Sequence, residues 1–165
     1  RCCAVRRKDR EVNEFEAIKQ IIAECDTIRI GLSDGKYPYI VPLSFGYEIN
    51  GEQICFYVHG ALAGRKYELM KKNGVCSFEM DCAHKLELIY EKKDVTMRYK
   101  CLMGTADIEL LEGEDKQKAM DIIMNRHDET SDFEYNRSAV NGTMLAKLTV
   151  TEYSGKINPV AGNAD

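Results

Sequence analysis

Val95-Thr96-Met97-Arg98-Tyr99-Lys100-Cys101-Leu102-Met103-Gly104-Thr105-Ala106-Asp107-Ile108-Glu109-Leu110 is the stretch whose pattern says most about the architecture. Up to Met103 the odd positions are mostly apolar and the even ones mostly polar, which is the period of a long half-buried strand. After Gly104 the phase reverses, with Ala106, Ile108 and Leu110 forming the apolar set. A period-two pattern changes face only through an extra residue or a kink, so a β-bulge is expected near Gly104-Thr105. Bends of this kind close sheets into barrels.

Upstream, Tyr37 to Glu48 and Gln53 to Val58 flank Asn50-Gly51, a strong short hairpin signal. That start is antiparallel and argues against a doubly wound parallel sheet. Thr27 to Leu32 reads as a short strand, followed by the turn Ser33-Asp34-Gly35. Val75 to Met80 and Lys85 to Tyr90 resume strands, and Met144 to Tyr153 supplies a last one. Helical spacing of Phe15, Ile18, Ile22 and Cys25 predicts a helix over about 14–25. Helices are also expected over 62–73, ending at Asn73-Gly74, and over 114–126. The reading is a mainly β, α+β fold: an antiparallel barrel with outlying helices.

Composition bounds the function. The 165 residues, 44% apolar and 30% charged, fit one domain over 1–165, with residues 1–12 as a flexible basic arm. Five basic side chains fall in the first ten residues, but a net charge of −4 gives no general attraction for nucleic acid or an anionic membrane. No run of eighteen apolar residues occurs, so neither a membrane span nor a signal segment is expected. Seven cysteines lack the regular spacing of a secreted disulfide scaffold, which points to a reducing cytoplasm.

Two segments carry candidate chemistry. In His59-Gly60-Ala61-Leu62-Ala63-Gly64-Arg65-Lys66 a strand runs into a helix. Free N–H groups at the helix start, small residues and two cations are the parts of a phosphate site. The same residues can equally shape a tight turn with solvated cations. A Walker A loop is excluded: the glycine spacing is one residue short, and Tyr67 stands where a magnesium-binding hydroxyl belongs. In Tyr37 to Tyr47 the prolines Pro38 and Pro42 remove ladder donors, marking either a blunted edge or a backbone that serves a planar ligand along Val41, Pro42, Leu43 and Ser44, with Phe45 as an apolar wall.

Taken together, Ile28 to Leu32, Gly35 to Phe45, Phe56 to Ala61 and Gly64-Arg65-Lys66 resemble the nitroimidazole-resistance (Nim-type) flavoproteins of the pyridoxamine-phosphate-oxidase-like superfamily. The resemblance continues more weakly through Tyr99 to Ala106 and the helix ending at His127. It implies a six-stranded FMN-binding split barrel, a homodimer with flavin at the subunit interface, and a small-molecule substrate and electron donor. FAD is the alternative flavin. Carried over, Gly60, Ala61, Gly64, Arg65 and Lys66 would hold the phosphate, and Val41 to Ser44 would line the ring. His59 would stand beside the site as the candidate catalytic residue, and Tyr99 and Lys100 would come from the partner. An imidazole that donates protons near neutral pH suits the reduction of a nitro group. The chain lacks tryptophan, and no C-terminal substrate signature of the vitamin B6 oxidases is found. The resemblance therefore implies an oxidoreductase acting on nitroaromatic or similar electrophiles, or else a flavin or heme carrier without turnover. Cys76, Cys82 and His84 form too sparse a pattern for zinc, and no metal site is expected.

Overall fold

The computed structural model describes residues 5–127 and 136–158. Its strands are β1 (Glu11–Val12), β2 (Thr27–Leu32), β3 (Tyr39–Asn50), β4 (Gln53–Ala61), β5 (Val75–Ile89), β6 (Asp94–Leu110) and β7 (Thr143–Asn158). Four helices accompany them: α1 (Phe15–Glu24), α2 (Arg65–Asn73), α3 (Gly113–His127) and α4 (Arg137–Val140). The sheet runs β1-β7-β4-β3-β2-β5-β6, and the further pairing of β6 with β7 closes six of these strands into a barrel. Every pairing is antiparallel. The barrel expected from the hairpin and the long strand is therefore present, with Gly51 at positive φ in the turn between β3 and β4.

Ile18, Ile21 and Ile22 of α1 plug the barrel and meet Ile28, Ile30, Phe45, Phe56, Met80 and Leu102 in the main core. Phe56 forms edge-on contacts with Phe45 and Phe78, at centroid distances of 5.5 and 5.2 Å. A smaller cluster, with Cys55, Tyr57, Ala119 and Ile123, seats α3 on the outer face of β4.

The structure corrects several expectations about the strands. Residues 5–12 are not a free arm: Val5 is buried, and Glu11–Val12 pair with Lys156 and Gly155. The strands read as Val75 to Met80 and Lys85 to Tyr90 are one, bulged between Cys82 and Lys85, where Ala83 takes φ +57°. The pairing of β6 with β7 does shift between Thr105 and Ala106, close to the expected bulge. The extra residue, however, is Thr151 on β7: Thr105 faces Glu152, and Ala106 faces Val150.

Strand β6 thus keeps one inward face. Leu102 and Ala106 on that even-numbered side are buried, whereas Val95 and Met97 are 54% and 47% exposed. Alternation states which side chains share a face, not which face is inside. The bulge at Ala83 places Leu86 and Leu88 opposite Met97 and Val95, so four apolar side chains line the outer face of the β5–β6 hairpin.

Candidate functional site

A gap in the ladder positions the site. Strand β3 pairs with β4 from Phe45 opposite Val58 to Asn50 opposite Gln53. Beyond Phe45, residues Tyr39 to Ser44 pair with β2, while His59, Gly60 and Ala61 pair with Leu145, Met144 and Thr143 of β7. The two ladders part between Ser44 and His59, leaving one backbone edge of Tyr39 to Ser44 without a strand partner among the described residues. Pro42 lies in this segment, where the lack of an N–H does least damage to the sheet.

The helix begins later than its sequence suggests. His59 to Ala61 are the last residues of β4, and α2 starts at Arg65 behind the N-cap Gly64, whose φ of +97° favours glycine. Gly74 closes the helix in the left-handed conformation, its N–H donating to the Met70 carbonyl at 3.1 Å.

Lys66 turns back over the strand and donates to the His59 carbonyl at 3.3 Å. Gly60 makes this possible: a Cβ there would fall on the Lys66 ammonium and lie 2.8 Å from its Cε. Burial lowers the Lys66 pKa. His59, although exposed on β4, is also held below its usual pKa, first by partial desolvation among its neighbours, then by the charges of Lys66 and His127, which favours the neutral imidazole near pH 7. Arg65 follows a different course. Its Nε donates to Asp34 Oδ2 at 2.5 Å, its Nη2 pairs with the same carboxylate, and its guanidinium lies 5.4 Å from the Tyr39 ring centroid.

His59, Gly60, Ala61, Gly64, Arg65 and Lys66 thus follow one another through the end of β4 into the start of α2, and Arg65 reaches Tyr39, two residues before the Val41 to Ser44 stretch. Along β3 the side chains of Tyr39, Val41 and Leu43 pack on the core, and Pro42 and Ser44 face outward. Phe45 cannot be an apolar wall, because it is fully buried beneath Arg126, whose guanidinium lies 4.2 Å from its ring centroid. In the chain Tyr99 and Lys100 stand apart from these residues, with Lys100 bound to Glu24 at 2.5 Å and Tyr99 opposite Asn158.

Sequence reasoning missed Asp34 and Arg126. Asp34 was legible only as a turn residue. Arg126 donates to the Ile22 carbonyl at 3.0 Å and to that of Cys25, tying α3 to the end of α1 beside a cleft of about 630 Å³. Among the described residues no group of three or more His, Cys, Asp or Glu could hold a metal ion. His84 instead pairs with Asp81 at 2.8 Å. No described helix is long and apolar enough to cross a membrane.

Residues 14–157 match the family model described as pyridoxamine 5'-phosphate oxidase. Among solved structures, a candidate 5-nitroimidazole antibiotic resistance protein from Bacteroides thetaiotaomicron superposes with a TM-score of 0.77 at 30% identity, over 89% of this chain and 86% of that one. The flavocytochrome Anf3 from Azotobacter vinelandii gives 0.75 at 17% identity, over 94% and 72% of the two chains. The FAD and heme binding protein from Mycobacterium smegmatis gives 0.76 at 13% identity, over 90% and 73%. The last two identities speak for the fold alone. No curated protein matches the sequence.

Proposed function

The chain belongs to the pyridoxamine 5'-phosphate oxidase family, and from that premise we propose that it is an FMN-dependent oxidoreductase that reduces nitroaromatic or similar small electrophiles. The carrying observation is the Gly60–Lys66 cradle at the split between β3 and β4: a glycine that a Cβ would obstruct, an ammonium laid over it, and a second cation one residue away at a helix start. These residues fit a phosphate ester. The edge of Tyr39 to Ser44 that faces away from β2 fits the polar rim of a planar ring, with backbone donors and acceptors that no described strand takes.

When bound, the flavin would supply the redox chemistry, taking electrons from a reduced nicotinamide and passing them to the electrophile. The protein's part is binding, orientation and proton supply. Arg65 and Lys66 anchor the phosphate, and Pro42 and Ser44 present the outward surface of β3. His59, neutral near pH 7, must first take up a proton before it can donate one.

A homodimer is part of the proposal. Leu86, Leu88, Val95 and Met97 form a continuous apolar strip on the outer face, and Ile40 on β3 is 64% exposed. A strip of this kind suits a second copy of the chain, whose Tyr99 region would then complete the flavin site. Work in a reducing compartment accords with Cys25, Cys55, Cys76, Cys82 and Cys101 all being free thiols.

The test is spectroscopic. The purified protein, reconstituted with FMN, is expected to show flavin absorption that bleaches with reduced nicotinamide and recovers on adding a nitroimidazole. A flavin-loaded protein inert to both is a carrier, and a protein that takes up neither FMN nor FAD sinks the proposal.

A further inference from the structure

The Arg65 side chain is 65% exposed, yet it is not free. Its Nε and Nη2 both address one carboxylate oxygen of Asp34, and its guanidinium lies against the Tyr39 ring. Asp34 is itself fixed. The Asn73 side chain, at the far end of α2, donates to the neighbouring Ser33 carbonyl at 2.9 Å, and Gly35 turns the chain at φ +66°. The turn between β2 and β3 is thereby tied to both ends of α2, with Asp34 at the end that carries the anion-binding elements.

We propose that Asp34 is a positioning residue for the phosphate anchor, presetting the Arg65 guanidinium. The inference rests on the phosphate-site reading above. A guanidinium carries five N–H donors in a rigid fork. Asp34 engages those on Nε and one on Nη2, leaving the Nη1 donors and the second Nη2 hydrogen for a ligand. An unrestrained arginine on a surface helix would lose its rotamer freedom on binding, whereas a preset one has already lost it.

The carboxylate has a second, opposite effect, because its negative charge repels an incoming phosphate. At such exposure water and salt screen that repulsion. The preset geometry is therefore expected to outweigh the charge.

The experiment compares FMN with riboflavin, which lacks the phosphate, by fluorescence titration of the full chain. D34A is expected to weaken FMN binding about tenfold and leave riboflavin binding unchanged, with D34E restoring part of the loss. In a double-mutant cycle, D34A should add nothing once Arg65→Ala is present. Equal losses for FMN and riboflavin would mean a general structural role and overturn the inference. So would tighter FMN binding by D34A, which would mean that Asp34 competes with the ligand. If the unaltered protein binds neither flavin, the phosphate-site reading itself fails, an outcome distinct from a neutral D34A in a protein that binds FMN well.

Discussion

The Lys66 ammonium occupies the space that a side chain at residue 60 would need: a Cβ built on Gly60 would lie 2.8 Å from Lys66 Cε and closer still to Nζ. The lysine end lies over the bare Gly60 backbone, a place it would have to leave if residue 60 carried a side chain.

Gly60→Ala should therefore displace Lys66 without breaking the pairing of β4 with β7. FMN affinity is expected to fall about tenfold or more, comparable with losing one charged hydrogen bond of about 1.5–3 kcal/mol. Titration of the variant checks this; unchanged affinity would mean that Lys66 does not hold the phosphate.

Removing both cations gives a larger effect with a distinct signature. R65A/K66A should weaken FMN by roughly a hundredfold or more and riboflavin hardly at all, while flattening the salt dependence of FMN binding. A matching loss for riboflavin would assign the two residues to folding instead.

His59 gives a pH prediction. Its folded pKa lies below the ordinary 6.5, so below pH 6.5 the unfolded chain takes up a proton that the native one resists. Stability is then lost as pH falls from 6.5 through the lowered native value. His59→Gln removes this contribution, so its melting temperature should drop less than the parent's between pH 7.5 and 5.5. Identical drops would refute the assignment.

The exposed strip on the β5–β6 hairpin predicts assembly. Light scattering should find a dimer for the unaltered chain and a monomer for Leu86→Glu/Met97→Glu, with β-sheet circular dichroism retained. A dimer that survives both charges would place the interface elsewhere.

Phe45, which the sequence presents as a ligand wall, is a core residue in the structure. Phe45→Ala is expected to cost about 3–5 kcal/mol of stability, read by urea denaturation. A loss under about 1 kcal/mol would contradict its burial.

Much of the fold was legible because local chemistry encodes it. Asn50-Gly51 specifies the hairpin, Phe15, Ile18, Ile22 and Cys25 mark α1, and Asn73-Gly74 ends α2. The strand-to-helix junction was legible too, although its glycines and two cations read equally as an anion site or as a tight turn. What stayed hidden depends on residues distant in sequence. Asp34 meets Arg65 across 31 positions, and Arg126 reaches the Ile22 carbonyl across 104.

The long strand shows where the division falls. By itself the sequence determined that Val95 to Leu110 is extended and that its alternate residues share a face, whereas its phase reversal after Gly104 marks no change of face in β6. Only the tertiary structure decided that the even-numbered side faces the core, that Thr151 on β7 carries the extra residue, and that Val95 and Met97 lie outside. The reason is physical: alternation follows from the pleat of one strand, whereas inside and outside depend on which strands close the barrel and what α1 fills it with. The same closure parts the β3 and β4 ladders after Phe45 and Val58, so that Tyr39 to Ser44 pair with β2 and His59 to Ala61 with β7.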